Sequence, residues 1–170
     1  MKNARSLGQW LLPGGLTLLL DRVVKWEYGF QSAVRLDLPW GEGNLFAWIA
    51  SHFSAAFAIP ETQVTQNTGM AFGWLQGHTG LIVAVSVLLL AACVALLRGM
   101  RPKGLAVLAL SLIAGGALSN LIDRLMYGYV IDMIPFFDWF VFNVADVGVV
   151  AGAILCGWSL LFRPQDWKNA

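Results

Sequence analysis

The sequence predicts an all-α membrane protein: four transmembrane helices, a small extracytoplasmic β-sheet and loop subdomain, and a short interfacial helix. Three observations carry this expectation. Hydrophobic residues make up 58% of the 170 and charged residues only 12%, against roughly 25% charged in ordinary soluble domains. Residues 79–97 and 104–122 contain no charge, and a helix of that length rises about 28 Å, close to the roughly 30 Å of bilayer hydrocarbon. Polar clusters abut the last two apolar runs, Asn120-Leu-Ile-Asp123-Arg124 and Phe142-Asn143-Val-Ala-Asp146. Ionisable groups at a membrane edge are costly enough to need partners and a use.

The elements follow in order. A first span over about 6–26 needs more than its uncharged core at 6–20 and so takes in Asp21. Lys2 and Arg5 precede it as in a signal peptide, but no small-x-small cleavage pattern follows, and a retained helix is expected. Asp21 and Lys25 stand at i, i+4, acid first; an ion pair snorkelling at the outer end of the helix is the simplest reading. The outer region of about 27–78 is too long for a turn and should hold structure. Within it Leu45, Ile49, His52, Phe53 and Ala56 recur at helical spacing beside Phe46, Trp48 and Phe57. That suits either a helix lying in the interface or one packed on the bundle. Thr62, Val64 and Gln66 alternate with Glu61, Gln63 and Thr65, predicting a strand that ends at Asn67-Thr-Gly69. Spans over about 79–97, 104–123 and 143–162 complete one integral domain, 1–170, without internal repeats.

The cations orient it. Lys2, Arg5, Arg98, Arg101, Lys103, Arg163 and Lys168 fall on the side of the termini, and Arg22, Lys25, Arg35 and Arg124 on the other. The positive-inside rule then puts both termini in the cytoplasm. All acidic residues but Asp166 lie on or near the outer face, where the polar chemistry must be.

Asn143 reads as the N-cap of the fourth span, with Asp146 in its first turn, where a negative charge suits the helix dipole. That cap would also aim Asp146. Asn120, Asp123 and Arg124 fall at i, i+3 and i+4 on the third span, so Asp123 and Arg124 can form a buried ion pair or orient other polar groups. Gly115, Gly116 and Ser119 allow a neighbouring helix to come close. Asp132 follows the strand-like Tyr129-Val-Ile131 and has no cation near it in sequence. It is either a solvated loop acid or, 14 residues before Asp146, one of two carboxyl groups converging beneath the outer loop. Two carboxyl groups within a few Å cannot both ionise cheaply, which leaves an acid and a base ready to hydrolyse an amide.

Cys93 and Cys156 each lie alone in an apolar run and read as packing residues. No zinc-type spacing or basic stripe is present, so neither a zinc enzyme nor a nucleic-acid partner is expected. A small transporter or proton-relay subunit with buried carboxylates, or a hydrolase placing Mg²⁺ on the oxygen-rich cluster, are the rival readings.

The motifs Asp21-x-x-x-Lys25, Asn67-Thr-Gly-Met-Ala-Phe72, Gly115-Gly-Ala-Leu-Ser-Asn120-Leu-Ile-Asp123-Arg124, Gly128-Tyr-Val-Ile-Asp132 and Phe142-Asn-Val-Ala-Asp146 together resemble bacterial lipoprotein signal peptidase, or signal peptidase II. The resemblance implies an aspartic endopeptidase of the bacterial inner membrane that cuts prolipoproteins just before a diacylglyceryl-modified cysteine. It implies Asp132 and Asp146 as the catalytic pair, with Asn67, Gly69, Asn120, Asp123, Arg124 and Asn143 supporting them and Asp21 and Lys25 in the first motif. Met70, Ser119 and Met133 depart from the residues usual at their positions. Expected partners are lipid-modified prolipoproteins and membrane lipids; the chain is expected to be a monomer that uses no cofactor or metal.

Overall fold

The computed structural model describes residues 7–31, 64–70, 74–137 and 139–167. The helix expected around Leu45–Phe57 lies outside them. The described chain forms helix α1 (Leu7–Gln31), strand β1 (Thr65–Asn67), helices α2 (Thr79–Gly99) and α3 (Leu105–Tyr127), strands β2 (Val130–Asp132), β3 (Ile134–Phe136) and β4 (Phe140–Phe142), helix α4 (Val144–Phe162), and a single 3₁₀ turn, Pro164–Asp166. Among the described residues, α2, α3 and α4 are long and apolar enough to cross a membrane.

Helix packing follows from where glycine lets backbones approach. On α1, Gly14, Thr17, Asp21, Val24 and Lys25 are buried along one face, while Leu12, Leu16 and Leu19 point outward. A methyl group on Gly115 of α3 would collide with the backbone of Gly14, and one on Gly116 with the carbonyl of Ala145 on α4. The small residues noted in the sequence are therefore the crossing points of α3 with α1 and α4, as expected of helices whose association relies on close packing. Helix α2 lies at the side: Leu81, Val85 and Leu88 are exposed, while Cys93 packs with Ala106, Leu110, Ile113 and Trp167.

Helix α3 runs four residues beyond its expected end at Asp123. It stops at Gly128, whose φ of +81° is the left-handed C-cap that glycine adopts without strain. Asp123 and Arg124 thus lie inside its last turns. At its start the chain's own tail serves as cap: Asp166 accepts from the Leu105 amide at 3.1 Å through its side chain and from Lys103 at 2.9 Å through its carbonyl.

Two short antiparallel ladders sit at the opposite end of the bundle. In the first, β1 pairs with β2, with Thr65 opposite Asp132 and Asn67 opposite Val130. The strand expected from the Thr62–Gln66 alternation is present over the described Thr65–Asn67. In the second, β3 and β4 form a hairpin with Ile134 opposite Phe142 and with Phe137 and Trp139 exposed near its tip. Met133 donates to the Phe142 carbonyl at 3.1 Å, so the residue after Asp132 is tied to the residue before Asn143.

Because the Gly115 contact is with backbone, which cannot move aside, Gly115→Val should lower the thermal midpoint of the detergent-solubilised protein by about 5 °C or more. An unchanged midpoint would show that α1 does not pack there.

Candidate active site

Asn143 stands where the hairpin ends and α4 begins. Its backbone is extended, with φ −129° and ψ 177°, and it closes a capping box: its side-chain oxygen accepts from the Asp146 amide at 2.9 Å, while Asp146 Oδ2 accepts from the Asn143 amide at 3.2 Å. Its oxygen occupied, Asn143 turns its Nδ2 inward and donates to Asp132 Oδ1 at 2.7 Å and to Asn120 Oδ1 at 3.1 Å. Asn120 in turn donates to Asp146 Oδ1 at 2.7 Å. Two amides therefore join two carboxyl groups in one network. The amide orientations are fixed by chemistry, because Asn120 Oδ1 also faces Lys25 Nζ at 3.0 Å, and an ammonium only donates.

The other side of Asp132 is held by β1. Asn67 donates to Asp132 Oδ2 at 2.9 Å and accepts from the Gly69 amide at 2.9 Å. Arg124 Nη2 clamps the same loop through the Gly69 carbonyl at 2.7 Å. A side chain at Gly69 would press on the Trp74 carbonyl, so glycine keeps this turn tight.

Asp132 is only 2% exposed and receives neutral amides rather than a cation. Burial, then the neighbouring Asp146 charge, push its carboxyl up to about 7; the hydrogen bonds from Asn67 and Asn143 and the Lys25 charge oppose the rise without cancelling it.

Beneath the amides lies a cluster of buried charge. Lys25 Nζ contacts Asp21 Oδ2 and Asp123 Oδ2, each at 2.7 Å, and with Asn120 all three of its hydrogens are committed. Asp21 Oδ1 accepts from the Ala145 amide at 2.8 Å, beside Asp146, and Asp123 Oδ2 from the Ile131 amide at 3.3 Å, beside Asp132. Arg22 Nη2 reaches Asp123 Oδ1 at 2.6 Å and Asp21 Oδ2 at 3.2 Å.

Two sequence expectations change here. Lys25 does not snorkel: it is 1% exposed and Asp21 is fully buried, because two carboxylates and an amide replace water around the ammonium. Asp123 pairs with Lys25 and Arg22 rather than with Arg124. Successive helical residues point in different directions, and Arg124 faces the Gly69 loop instead. Arg22 and Ser119 carried no site expectation, although an arginine inside the Asp21–Lys25 stretch of an acid-rich outer side was a usable signal. Every other predicted site residue, Asn67, Gly69, Asn120, Asn143, Asp132 and Asp146, falls within the network. Among the described residues, no three His, Cys, Asp or Glu side chains are grouped to hold a metal ion.

Comparison with known proteins gives the chain its relatives. Residues 15–162 match the signal peptidase (SPase) II family. The chain is 34% identical over 157 residues to a lipoprotein signal peptidase of Rhodopseudomonas palustris, covering 85% of this chain and 86% of that one. It is 35% identical over 158 residues to that of Ralstonia nicotianae, covering 90% and 84%. A third, from Moorella thermoacetica, is 46% identical over 96 residues, 56% of this chain; the match spans just under two thirds, 64%, of its length. The fold is similar to that of a bacterial membrane enzyme solved in meso at 2.3 Å, with TM-score 0.69 and 24% identity over 97% of this chain and 94% of that one. The chain belongs to the signal peptidase II family.

Proposed function

We propose that this chain is a membrane aspartic endopeptidase that removes signal peptides from diacylglyceryl-modified prolipoproteins, cutting before the lipidated cysteine, with Asp132 and Asp146 as its reactive pair. The observation that carries this reading is the amide-bridged arrangement of those carboxyl groups, with Asp132 buried and held near 7. At neutral pH such a pair shares one proton. The ionised member takes a proton from water as the water oxygen attacks the scissile carbonyl, and the protonated member gives its proton to the carbonyl oxygen. The first member then passes its proton to the leaving nitrogen while the second takes one back from a gem-diol hydroxyl, so that the carbon–nitrogen bond breaks, the carbonyl re-forms and the pair again holds one proton. Asn120 and Asn143 keep both carboxyl groups aimed; Arg124 and Asn67 hold the wall formed by the Gly69 loop.

In this reading α1 joins α2, α3 and α4 as a fourth span of a single domain, 1–170, in the bacterial inner membrane. Both termini are cytoplasmic, the reactive pair lies near the outer face, and the protein works as a monomer surrounded by lipid. Asp21 and Lys25 do not oppose that placement of α1, since their charges are met within the bundle. A substrate helix would enter sideways from lipid, leaving its acyl chains in the bilayer. The distribution of polar groups favours a peptidase over a transporter or proton relay. Below Asp21 and Ser119 the described helices meet through Gly14, Gly115 and Gly152 and the apolar Leu110 and Ile113, with no chain of ionisable groups leading across.

Asp132→Asn and Asp146→Asn should each reduce cleavage of a lipidated prolipoprotein by about 10³-fold or more while leaving expression intact; wild-type rates in either variant would refute the assignment. In the same assay, rates that survive EDTA support the metal-free reading, and loss of activity on chelation would replace it with the Mg²⁺ alternative. A second expectation concerns stability. With Asp132 near 7 when folded and at the ordinary carboxyl value of 3.8 otherwise, the folded protein holds a proton that the unfolded chain releases. The resulting stabilisation is complete below about pH 4 and is lost as pH rises through about 7. Thermal midpoints should fall across this window, and Asp132→Asn should flatten the fall; identical slopes in wild type and variant would contradict it.

A further inference from the structure

We infer that Arg22, held in place by Ser119, is a positioning residue for the carboxyl pair: it makes the buried charge cluster beneath Asp132 and Asp146 neutral and so sets the pH range over which the pair works. The inference rests on the reading of that pair as the reactive groups.

The charge count carries it. Asp21 and Asp123 are both fully buried, and both accept from backbone amides next to the reactive carboxyl groups, at Ala145 and Ile131. Lys25 is one cation for two carboxylates, and its hydrogens are already divided among Asp21, Asp123 and Asn120. Arg22 is the second cation, meeting Asp123 Oδ1 at 2.6 Å from a side chain that is 27% exposed. Without it the cluster would carry one uncompensated negative charge, separated from Asp146 by no more than Asn120 and the first turn of α4.

Ser119 makes this arm specific. Its hydroxyl, with the residue fully buried, donates to Asp21 Oδ2 at 2.6 Å and accepts from Arg22 Nε at 3.0 Å. Its carbonyl receives Arg22 Nη2 at 3.4 Å. Arg22 occupies an open position of the Asp21-x-x-x-Lys25 motif, and Ser119 is one of the positions at which this chain departs from the family pattern; the two side chains touch. Among the described residues, the charged groups around the pair are Asp21, Arg22 and Lys25 from α1 and Asp123 and Arg124 from α3, with Tyr127 of α3 also within the field of Asp123 and Arg22. Arg124 is turned to the Gly69 carbonyl; within the ion-paired cluster of Asp21, Arg22, Lys25 and Asp123, losing Arg22 changes the balance from neutral to negative, and a nearby negative charge favours the protonated forms of both reactive carboxyl groups.

The test is the pH–rate profile of purified full-length enzyme with a diacylglyceryl-cysteine prolipoprotein peptide, for wild type, Arg22→Gln, Arg22→Lys and Ser119→Gly. Arg22→Gln should move both limbs of the profile to higher pH by about half to one unit. Arg22→Lys should restore the wild-type limbs, and Ser119→Gly should shift them the same way by less. A purely structural role predicts lower rate or thermal stability with limbs unmoved, so coincident limbs in an active Arg22→Gln enzyme overturn the inference alone. If that variant does not fold, coincident limbs in Ser119→Gly overturn it. A wild-type enzyme that fails to cleave the peptide overturns the peptidase reading and this inference with it.

Discussion

The structure depends on one constraint: a lysine buried near the end of the bundle must find an acceptor for each of its three hydrogens. Lys25 finds them in Asp21, Asp123 and Asn120, one from its own helix and two from α3. Each of those partners is then committed elsewhere. Asp21 holds the first turn of α4 at Ala145, Asp123 holds β2 at Ile131, and Asn120 holds Asp146 and Asn143. The backbone beside Asp132 and beside Asp146 is thus fixed by the same cation. Removing water from such a cluster costs several kcal/mol per ion, which the close crossings at Gly115 and Gly116 must help to offset by holding the helices together.

The proposed chemistry needs the opposite of what the cluster provides. A cation placed directly on Asp132 would keep it ionised and useless as an acid. The two asparagines separate the functions: Lys25 fixes Asn120, and Asn120 and Asn143 present neutral amides to the carboxyl groups. Position is transmitted while charge is kept one residue away. Asp132 accordingly stays protonatable near neutral pH, although it sits within the field of Lys25 and close to Arg124.

Much of this was legible in the sequence where geometry is local. The Asn143–Asp146 cap follows from a spacing of three residues at a helix start, and charge-free runs located α2, α3 and α4. Long-range pairing was not legible in the same way. The i, i+4 spacing of Asp21 and Lys25 revealed their ion pair, but no periodicity reveals that Asp123, almost a hundred residues later, would bury it. The adjacency of Asp123 and Arg124 suggested a pair that helical geometry separates. Likewise the β3–β4 hairpin, whose short aromatic strands lack the usual polar alternation, had no strand signature, although it aligns Asp132 with Asn143. Ser119 read as a small packing residue because the acid and guanidinium it bridges lie on another helix.

Asn120 is the connection between the charge cluster and the proposed reactive pair. The most direct measurement is therefore the steady-state cleavage of lipidated prolipoprotein by Asn120→Ala, alongside its thermal midpoint. The expected result is a fall in kcat of about 10²-fold at nearly unchanged KM in a protein that stays folded, as misplacement of catalytic groups produces. A folded Asn120→Ala enzyme with wild-type kcat would contradict the account.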